Sequence, residues 1–373
     1  MAERVATAED AAAAFVRFAD AEGERIPIYA RLCRVIADDP ALHGLLLEAP
    51  TGQRLPVLLL AALHTVVLDH PDVPLAPWFP TVHPGPPPEV GLGGALRATL
   101  ADHLDRVLDL LRHRQVQTNE VNRCCAWWLA LAALTEDDPR PLHLVELGAS
   151  AGLNLLLDRY AYELGHPSGA PVLAGDANSP VRLGTTLRSD VRSDATWGAP
   201  IASRVGLDQR PLDVTDPADA RWLEACVWPE QRVRFDRLAA ALALAAASPP
   251  RVARGDLVDD LDPLLDEAAD GAHTVVLSSW VLAYVPRARR LELLDRLDAA
   301  ARRCAARGGR LTLLTLEADT VLPWIEIPPL PEDADADQRF SSVLAATCWG
   351  DAGERRVQVL GRCQAHLVWA DLA

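Results

Sequence analysis

The chain has 373 residues, of which half are hydrophobic and 24% are charged, a composition that excludes wholesale disorder and predicts more than one domain. All 36 basic residues are arginines, which excludes chemistry that requires a lysine, such as that of P-loop nucleotide hydrolases and Schiff-base enzymes. The net charge of −16 disfavours a nucleic-acid partner, because such partners select a basic face. A small-molecule substrate is therefore expected.

The seven cysteines and the N-terminal segment indicate a cytoplasmic protein. No C-x-x-C pair occurs, so neither a disulfide framework nor a zinc cage is predicted, and no metal ligands are assigned. The N-terminal stretch "MAERVATAEDAAAAFVRFAD" carries acidic residues within its apolar pattern, unlike a signal peptide. No uncharged apolar run is long enough to span a bilayer, so no membrane partner is expected, and the sequence specifies no oligomeric state.

Residues 1–136 are predicted to form an all-helical domain that caps a second domain. Apolar residues recur at helical spacing in "AAAAFVRFADAEG", "IPIYARLCRVIAD", "RLPVLLLAALHTVVLDH" and "ALRATLADHLDRVLDLLRHR". The segment 71–94 interrupts this pattern with prolines and glycines, which are incompatible with a helix interior. We expect this segment to be a solvated connection, with an ordered flap as the alternative.

Residues 137–373 are predicted to form an α/β domain. Strands are expected at "LHLVEL", "IASRVGLD", "RVARGD", "HTVVLSS" and "GGRLTLLTLE", and helices at "GLNLLLDRYAYEL", "DARWLEACVWPEQRVRFDRLAAALALAAA" and "RARRLELLDRLDAAARRCAA". Such alternation favours a parallel sheet covered on both faces. The C-terminal stretch reads as two or three strands without a helix, with turn residues at Asp351–Gly353 for an antiparallel hairpin. Residues 166–200 read as an insertion.

The stretch "HLVELGASAGLN" (143–154) combines a strand with a small-residue turn and admits several chemistries. Gly148 to Gly152 fit the G-x-S-x-G nucleophile elbow of serine hydrolases, with Ser150 as the nucleophile. The later histidines, His166, His273 and His366, are poor partners for it, since the last two lie in apolar stretches that look like strands. A dinucleotide fingerprint also fits poorly, because Leu155 stands where its third glycine would be.

The same stretch resembles motif I of Rossmann-like methyltransferases, in which an apolar strand and an acid precede a G-x-G-x-G turn. Here Glu146 is the acid and Ser150 replaces the middle glycine. Downstream, Asp208 ends the second strand, where such enzymes place a carboxylate on the ribose hydroxyls, and Asp256 follows the third strand, near the adenine amine. The resemblance covers residues 143–373. It implies an S-adenosylmethionine site formed by Glu146, Gly148, Ala149, Ser150, Gly152, Asn154, Asp208, Asp256, Leu257, Ser278 and Trp280.

The whole chain also resembles a family of bacterial proteins grouped as a domain of unknown function, through the phrases "QTNEV", "VELGASAGLNLL" and "CVWPEQ". That resemblance implies a class I methyltransferase fold, a Rossmann-like parallel sheet with an antiparallel C-terminal hairpin, joined to the helical N-terminal domain. The expected function is methyl transfer from S-adenosylmethionine to a small-molecule acceptor. The alternatives are a non-catalytic adenosyl-ligand-binding protein with this fold and the serine hydrolase that uses Ser150.

The polar cluster "QTNEVNRC" is predicted to contact the methyl acceptor, together with Tyr284. Thr118 or Asn119 can cap the following helix, but capping leaves Glu120 and Arg123 unexplained. Because Glu120 and Arg123 are three residues apart, they share a helix face and can simply pair. If that face meets the carboxyl ends of the strands, Asn119, Glu120 and Arg123 line the acceptor site. No catalytic base is assigned, because methyl transfer requires mainly alignment of the reacting groups.

Overall fold

A computed structural model describes residues 5–136, 138–189, 198–350 and 354–372. The helices are α1 (Ala8–Glu22), α2 (Pro27–Ala37), α3 (Pro40–His43), α4 (Pro56–Asp69), α5 (Leu92–His113), α6 (Cys124–Thr135), α7 (Pro217–Cys226), α8 (Arg232–Ala247), α9 (Asp262–Leu265), α10 (Arg287–Ala306) and α11 (Ala336–Arg339). The strands are β1 (Leu142–Leu147), β2 (Ala161–His166), β3 (Gly169–Gly175), β4 (Arg182–Leu187), β5 (Ile201–Asp208), β6 (Val252–Arg254), β7 (His273–Ser279), β8 (Arg310–Ala318), β9 (Ser342–Trp349), β10 (Arg355–Cys363) and β11 (Trp369–Leu372).

The chain divides into two compact units, one formed by 1–118 with 215–239 and the other by 119–214 with 240–373. This division differs from the boundary after residue 136 that the sequence pattern indicates. The physical reason is that α6 packs with the sheet, where Trp128 stacks on Tyr162 with ring centroids 4.6 Å apart. Trp127 is buried as well as Trp128, so this helix is apolar on all sides. No described helix is both long and apolar enough to cross a membrane.

In the first unit, helices enclose an ordered segment, which corrects the expectation of a solvated connection at 71–94. Leu75 and Phe79 are fully buried, and the indole Nε1 of Trp78 donates a hydrogen bond to the carbonyl of Pro88. The buried imidazole of His64 lies 2.8 Å from the Thr81 hydroxyl, which anchors the segment to α4. Burial lowers the pKa of His64 to about 4, so this histidine is a neutral structural residue at physiological pH.

In the second unit, the described strands form one sheet in the order β3-β2-β4-β11-β10-β9-β8-β7-β1-β5-β6. The five strands from β8 to β6 are parallel, and β9 and β10 continue the sheet antiparallel. After β1 the chain forms β2, β3 and β4 at the far edge of the sheet, continues with β5 and β6 on one side of β1, and then forms β7 and β8 on the other side of β1. This is the Rossmann-like order predicted from the sequence, and it creates a switch point between β1 and β7, where ligands bind in folds of this type.

One predicted helix is wrong. The stretch "GLNLLLDRYAYEL" forms a short 3-10 segment, Leu153–Arg159, followed by β2. The hydroxyls of Tyr160 and Tyr162 donate hydrogen bonds to the carbonyls of Leu153 and Leu157, and the backbone is extended from Tyr160. Pairing of β2 with β3 and β4 thus overrides the local helical periodicity. Part of the predicted insertion, 190–197, and the turn Asp351–Gly353 lie outside the described residues.

Candidate functional site

The turn after β1 is held in a left-handed backbone conformation at three positions: Gly148 (φ 65°), Ser150 (φ 55°) and Gly152 (φ 73°). A Cβ atom added to Gly148 would lie 2.5 Å from Cγ2 of Val281. One added to Gly152 would lie 2.8 Å from Cγ2 of Val252. The protein's own side chains fill this space, so backbone geometry and packing require both glycines independently of any ligand.

Asp208 joins this turn to the end of β5. Its Oδ2 atom accepts a hydrogen bond from the backbone N–H of Ser150 at 2.8 Å, and its Oδ1 atom accepts one from the N–H of Arg210 at 2.8 Å. Each carboxylate oxygen has a second acceptor position, and the side chain is half-buried rather than enclosed. Asp208 therefore orients the turn and retains the capacity to accept from a ligand hydroxyl.

Glu146 lies near the carboxyl end of β1 and is buried. Its Oε1 atom accepts a hydrogen bond from the Nδ2 group of Asn154 at 2.8 Å, whereas its buried Oε2 atom has no hydrogen-bond partner among the described residues. Burial raises the pKa of Glu146 to about 8, and the Asn154 hydrogen bond and the charge of Arg123 only partly oppose this effect. An unpartnered buried carboxyl oxygen is costly, and a ligand that supplies a donor or a positive charge removes that cost.

A second buried acid, Glu317, lies on β8 and was missed from the sequence. Its Oε1 atom accepts hydrogen bonds from the Ser278 hydroxyl at 2.9 Å and from the N–H groups of Val281 and Leu282 at 3.0 and 3.1 Å. Its Oε2 atom is buried without a partner, and burial raises the pKa of this carboxyl as well. The sequence contains a signal for this residue, because Glu317 is the penultimate residue of an apolar strand, as Glu146 is in "LHLVEL".

Asn119 and Asn122 act as structural connectors rather than as exposed ligands. The Oδ1 atom of Asn119 accepts the N–H of Leu153 at 3.1 Å, which fixes the start of the 3-10 segment after the turn. The Nδ2 group of Asn122, which was not predicted, donates to the carbonyls of Gly184, His366 and Leu367. The predicted cluster is thus buried in the sheet unit, where Asn119 performs a role that needs no acceptor.

Arg123 and Glu120 occupy the same buried cluster. The guanidinium of Arg123 donates from Nη1 to the Ser279 carbonyl and from Nε to the Ala365 carbonyl, both at 3.3 Å. Glu120 caps the 3-10 turn Val121–Arg123 by accepting the N–H of Asn122 at 3.1 Å. Its other oxygen, Oε2, lies 3.5 Å from Nδ1 of His366. The capping residue of this turn is therefore Glu120, whereas the sequence pattern indicates Thr118 or Asn119 as the cap of the following helix.

Four further predicted residues are Trp280 and Asp256, which follow the ends of β7 and β6, and Leu257 and Tyr284. Trp280 has a left-handed backbone (φ 54°) and donates from Nε1 to the Ser342 hydroxyl at 2.9 Å. Asp256 caps the turn that follows it and pairs with Arg289 at 3.0 Å, which is the structural alternative for this residue. Leu257 belongs to the hydrophobic core, and the side chain of Tyr284 is 86% exposed.

Backbone strain is concentrated around this cluster. The non-glycine residues with positive φ among the described residues are Ser150, Trp280 and Leu367. Ser150 lies in the turn after β1, and Trp280 lies in the turn after β7. Leu367 lies in the loop between β10 and β11, and its carbonyl accepts a hydrogen bond from Asn122. Each such residue costs of the order of 1–3 kcal/mol, and strained residues cluster at functional sites. The strain therefore marks the same region as the two unpartnered carboxyl oxygens.

Glu146→Gln is expected to flatten the pH dependence of stability. Between about pH 4.5 and pH 8, folded wild-type protein holds a proton on Glu146 that the unfolded chain has lost, so stability falls as the pH rises through this window. The slope from this single group is about 1.4 kcal/mol per pH unit, and the glutamine variant lacks it. Denaturant unfolding at pH 5, 6.5 and 8 measures the difference. Exposed Glu163→Gln is the control, and parallel profiles for wild type and Glu146→Gln would contradict the burial of this carboxyl.

The solved structures that are similar to this chain include two that each cover 64% of it. One is the sugar N-methyltransferase KedS8 from Streptoalloteichus sp ATCC 53650, with 14% identity, 70% of its own chain covered and a TM-score of 0.23. The other is DesVI of Streptomyces venezuelae, with 11% identity, 75% covered and a TM-score of 0.24. Likenesses of this extent do not establish an activity for this chain. No curated protein is significantly similar to it.

The family is established by a model that matches residues 12–371, nearly the whole chain. This match includes both the helical unit and the sheet unit, so the two belong to one family unit in sequence. The chain belongs to the DUF2332 family of uncharacterized proteins conserved in bacteria.

Proposed function

We propose that the protein binds S-adenosylmethionine at the carboxyl ends of β1 and β5 and transfers its methyl group to a small-molecule acceptor. The observation that carries this proposal is the buried, unpartnered Oε2 atom of Glu146 beside the switch point of the sheet. A carboxyl oxygen in this position is suited to the ammonium or sulfonium charge of the cofactor. Asp208, at the end of the adjacent strand, is suited to the ribose hydroxyls.

The charges of the site favour this cofactor over a phosphate-bearing one. The Asp208 carboxylate lies beside the turn and opposes a pyrophosphate, whereas Glu146, whose pKa burial raises to about 8, is ionised most readily by a cationic ligand. The turn also leads into the 3-10 segment Leu153–Arg159 rather than into a long α-helix, so the helix dipole that stabilises bound phosphates is missing from this segment. A cationic adenosyl ligand meets neither obstacle.

In this proposal the protein supplies alignment and exclusion of water. The sulfonium group supplies an already activated methyl group when the cofactor is bound. Asp208 orients the turn through the Ser150 N–H. Asp256 follows the next strand, β6, and its Oδ2 atom, which accepts from Nε2 of Gln209, has a second acceptor position for the adenine amine. Ser278 and Trp280 lie where β7 ends, beside the strand that carries Glu146, and they would border the acceptor.

A non-catalytic adenosyl-binding protein is the alternative, and one observation favours it. Val281 and Val252 fill the space at Gly148 and Gly152, and backbone N–H groups already engage both oxygens of Asp208. The protein's own side chains therefore already pack this turn well. A sensor or scaffold that binds the cofactor without transferring its methyl group requires no more than this.

Isothermal titration with S-adenosylmethionine and S-adenosylhomocysteine tests both interpretations. Binding of both ligands, with affinity for S-adenosylmethionine reduced about tenfold or more in Glu146→Gln, is the expected result. Glu163→Gln, on the exposed face of β2, is the matched control and should bind as wild type does. No heat and no thermal stabilisation with either ligand would remove the methyltransferase and the adenosyl-binding proposals together.

Ser150→Ala is expected to leave the affinity for S-adenosylmethionine within about tenfold, or about 1.4 kcal/mol. The reason is that Ser150 serves the site through its backbone N–H, which alanine retains, and through its turn conformation. Fluorophosphonate labelling followed by peptide mass spectrometry provides the second measurement, and wild-type protein should remain unlabelled. Stoichiometric labelling at Ser150 would instead support the serine hydrolase.

A further inference from the structure

His366 lies in a short loop between β10 and β11, although the sequence suggests that it belongs to a strand. The loop is held by several hydrogen bonds to its backbone. Asn122 donates to the carbonyls of His366 and Leu367 at 3.0 and 3.1 Å, and the His366 N–H donates to Oε1 of Gln364 at 2.6 Å. Leu367 has a left-handed backbone, with φ of 55°. The loop is thus fixed in a strained shape that determines where the imidazole lies.

The imidazole faces a buried carboxylate. Nδ1 of His366 lies 3.5 Å from Oε2 of Glu120, whose side chain is only 3% exposed. The other Glu120 oxygen is held by the N–H of Asn122, so the carboxylate has a fixed orientation. The imidazole itself is 23% exposed, which leaves part of the ring open to a small molecule. The contact is at ion-pair distance rather than a formed hydrogen bond. A carboxylate beside Nδ1 favours the tautomer that carries its proton on that nitrogen and leaves Nε2 as the proton acceptor.

Arg123 connects this loop to the switch point of the sheet. Its guanidinium donates to the carbonyl of Ala365, next to His366, and to the carbonyl of Ser279, the last residue of β7. Because both carbonyls contact one guanidinium group, the loop that carries His366 lies close to the carboxyl end of β7. Among the described contacts, the charged side chains at this loop include Glu120, whose negative charge favours the imidazolium form, and Arg123, whose positive charge opposes it.

We propose that Glu120 and His366 form the acid–base pair that accepts the proton of a hydroxyl-bearing acceptor; this inference rests on the proposed methyl transfer. A hydroxyl group is a weak nucleophile and must lose its proton as its oxygen bonds to the methyl carbon. The proton passes to Nε2 of His366, while the electron pair of the broken carbon–sulfur bond remains on sulfur. The Glu120 carboxylate stabilises the imidazolium ion that results.

The experiment is an NMR titration of the full-length protein that follows the Cε1–H signal of each histidine. The His366 signal is assigned with His366→Gln, or through its contacts with Ala365 if that variant does not fold. In Glu120→Gln, the titration midpoint of His366 should fall by about 1 pH unit, because the neighbouring negative charge is lost. His113, an exposed residue of α5, is the control and should titrate identically in both proteins.

The His366 titration midpoint, measured in complexes with two different ligands, tests whether His366 lies close to the cofactor. Sinefungin carries an ammonium group where S-adenosylhomocysteine carries a neutral sulfur, so its charge should lower the His366 midpoint relative to the S-adenosylhomocysteine complex, while His113 remains unchanged. If both ligands bind but the His366 midpoint is the same in the two complexes, or if Glu120→Gln leaves it unmoved, the proposed pair is wrong and the proposed function stands. If neither ligand binds, the proposed function itself fails.

Discussion

Arg123→Met is expected to lower the free energy of unfolding by about 3–5 kcal/mol. Arg123 is buried, and its guanidinium donates to the Ser279 and Ala365 carbonyls. Burial raises the pKa of both Glu146 and Glu317, and the positive charge of Arg123 opposes part of that rise. A methionine fills much of the same volume but leaves the two carbonyls without this donor and the two buried acids without this charge. The cost of unpaired buried polar groups is the physical reason for the large effect.

Denaturant unfolding at pH 7 measures this loss, with Arg106→Met as the matched control. Arg106 is exposed and pairs with Asp109 on the same helix at 3.2 Å, an interaction worth about 0.5 kcal/mol or less. Arg123→Lys retains the charge but not the planar fork, so it should fall between wild type and Arg123→Met. Equal stabilities for Arg123→Met and Arg106→Met would show that Arg123 does not hold the cluster together.

Much of the sheet unit was predictable because buried parallel strands are continuous apolar runs. The predicted strands "LHLVEL", "IASRVGLD" and "HTVVLSS" coincide with β1, β5 and β7, and the predicted helix "RARRLELLDRLDAAARRCAA" coincides with α10. These elements have local patterns that agree with their tertiary surroundings, and such agreement is what makes a pattern informative. The alternation of strands and helices indicates a parallel sheet, and the resemblance to methyltransferases implies the Rossmann-like arrangement of its strands.

Two of the failures, at β2 and at His366, have a different cause, which is pairing over long sequence distances. β2 was predicted as part of a helix, yet it pairs with β4, which in turn pairs with β11 near the C-terminus. His366 was read as a strand residue because its neighbours are apolar, and the loop is specified by Asn122, more than 200 residues earlier. The segment 71–94 was expected in solvent because its prolines exclude a helix, but prolines do not exclude burial. None of these contacts is visible in a local window.

The candidate site is only partly visible in the sequence for the same reason. The acid of β1 and the glycine turn stand next to each other in sequence, so Glu146, Gly148 and Ser150 could be identified from "VELGASAG". Glu317 contributes a second unpartnered oxygen from a strand far along the chain, and its relation to Ser278 exists only in the folded sheet. The sequence also could not reveal that Val281 packs at Gly148, which gives that glycine a structural role as well.

Gly148→Ala is accordingly expected to destabilise the fold by about 2–5 kcal/mol, before any effect on a ligand is considered. The left-handed conformation costs an alanine roughly 1–2 kcal/mol, and forcing a Cβ atom to within 2.5 Å of the Val281 side chain adds about 1–3 kcal/mol of overpacking. Gly271→Ala isolates the first contribution, because Gly271 has φ of 76° and a Cβ atom there would meet nothing within 4 Å.

Chemical denaturation of the two glycine variants and of Gly148→Ala/Val281→Ala separates conformation from packing. Val281→Ala removes the Cγ2 atom that lies closest to the added Cβ, although the Val281 Cβ atom, at 2.8 Å, remains. The double variant should therefore recover part, but not all, of the loss, after correction for the loss of the Val281 methyl groups measured in Val281→Ala alone. If Gly148→Ala costs no more than Gly271→Ala, Val281 does not pack against the turn, and the space at Gly148 is open to a cofactor after all.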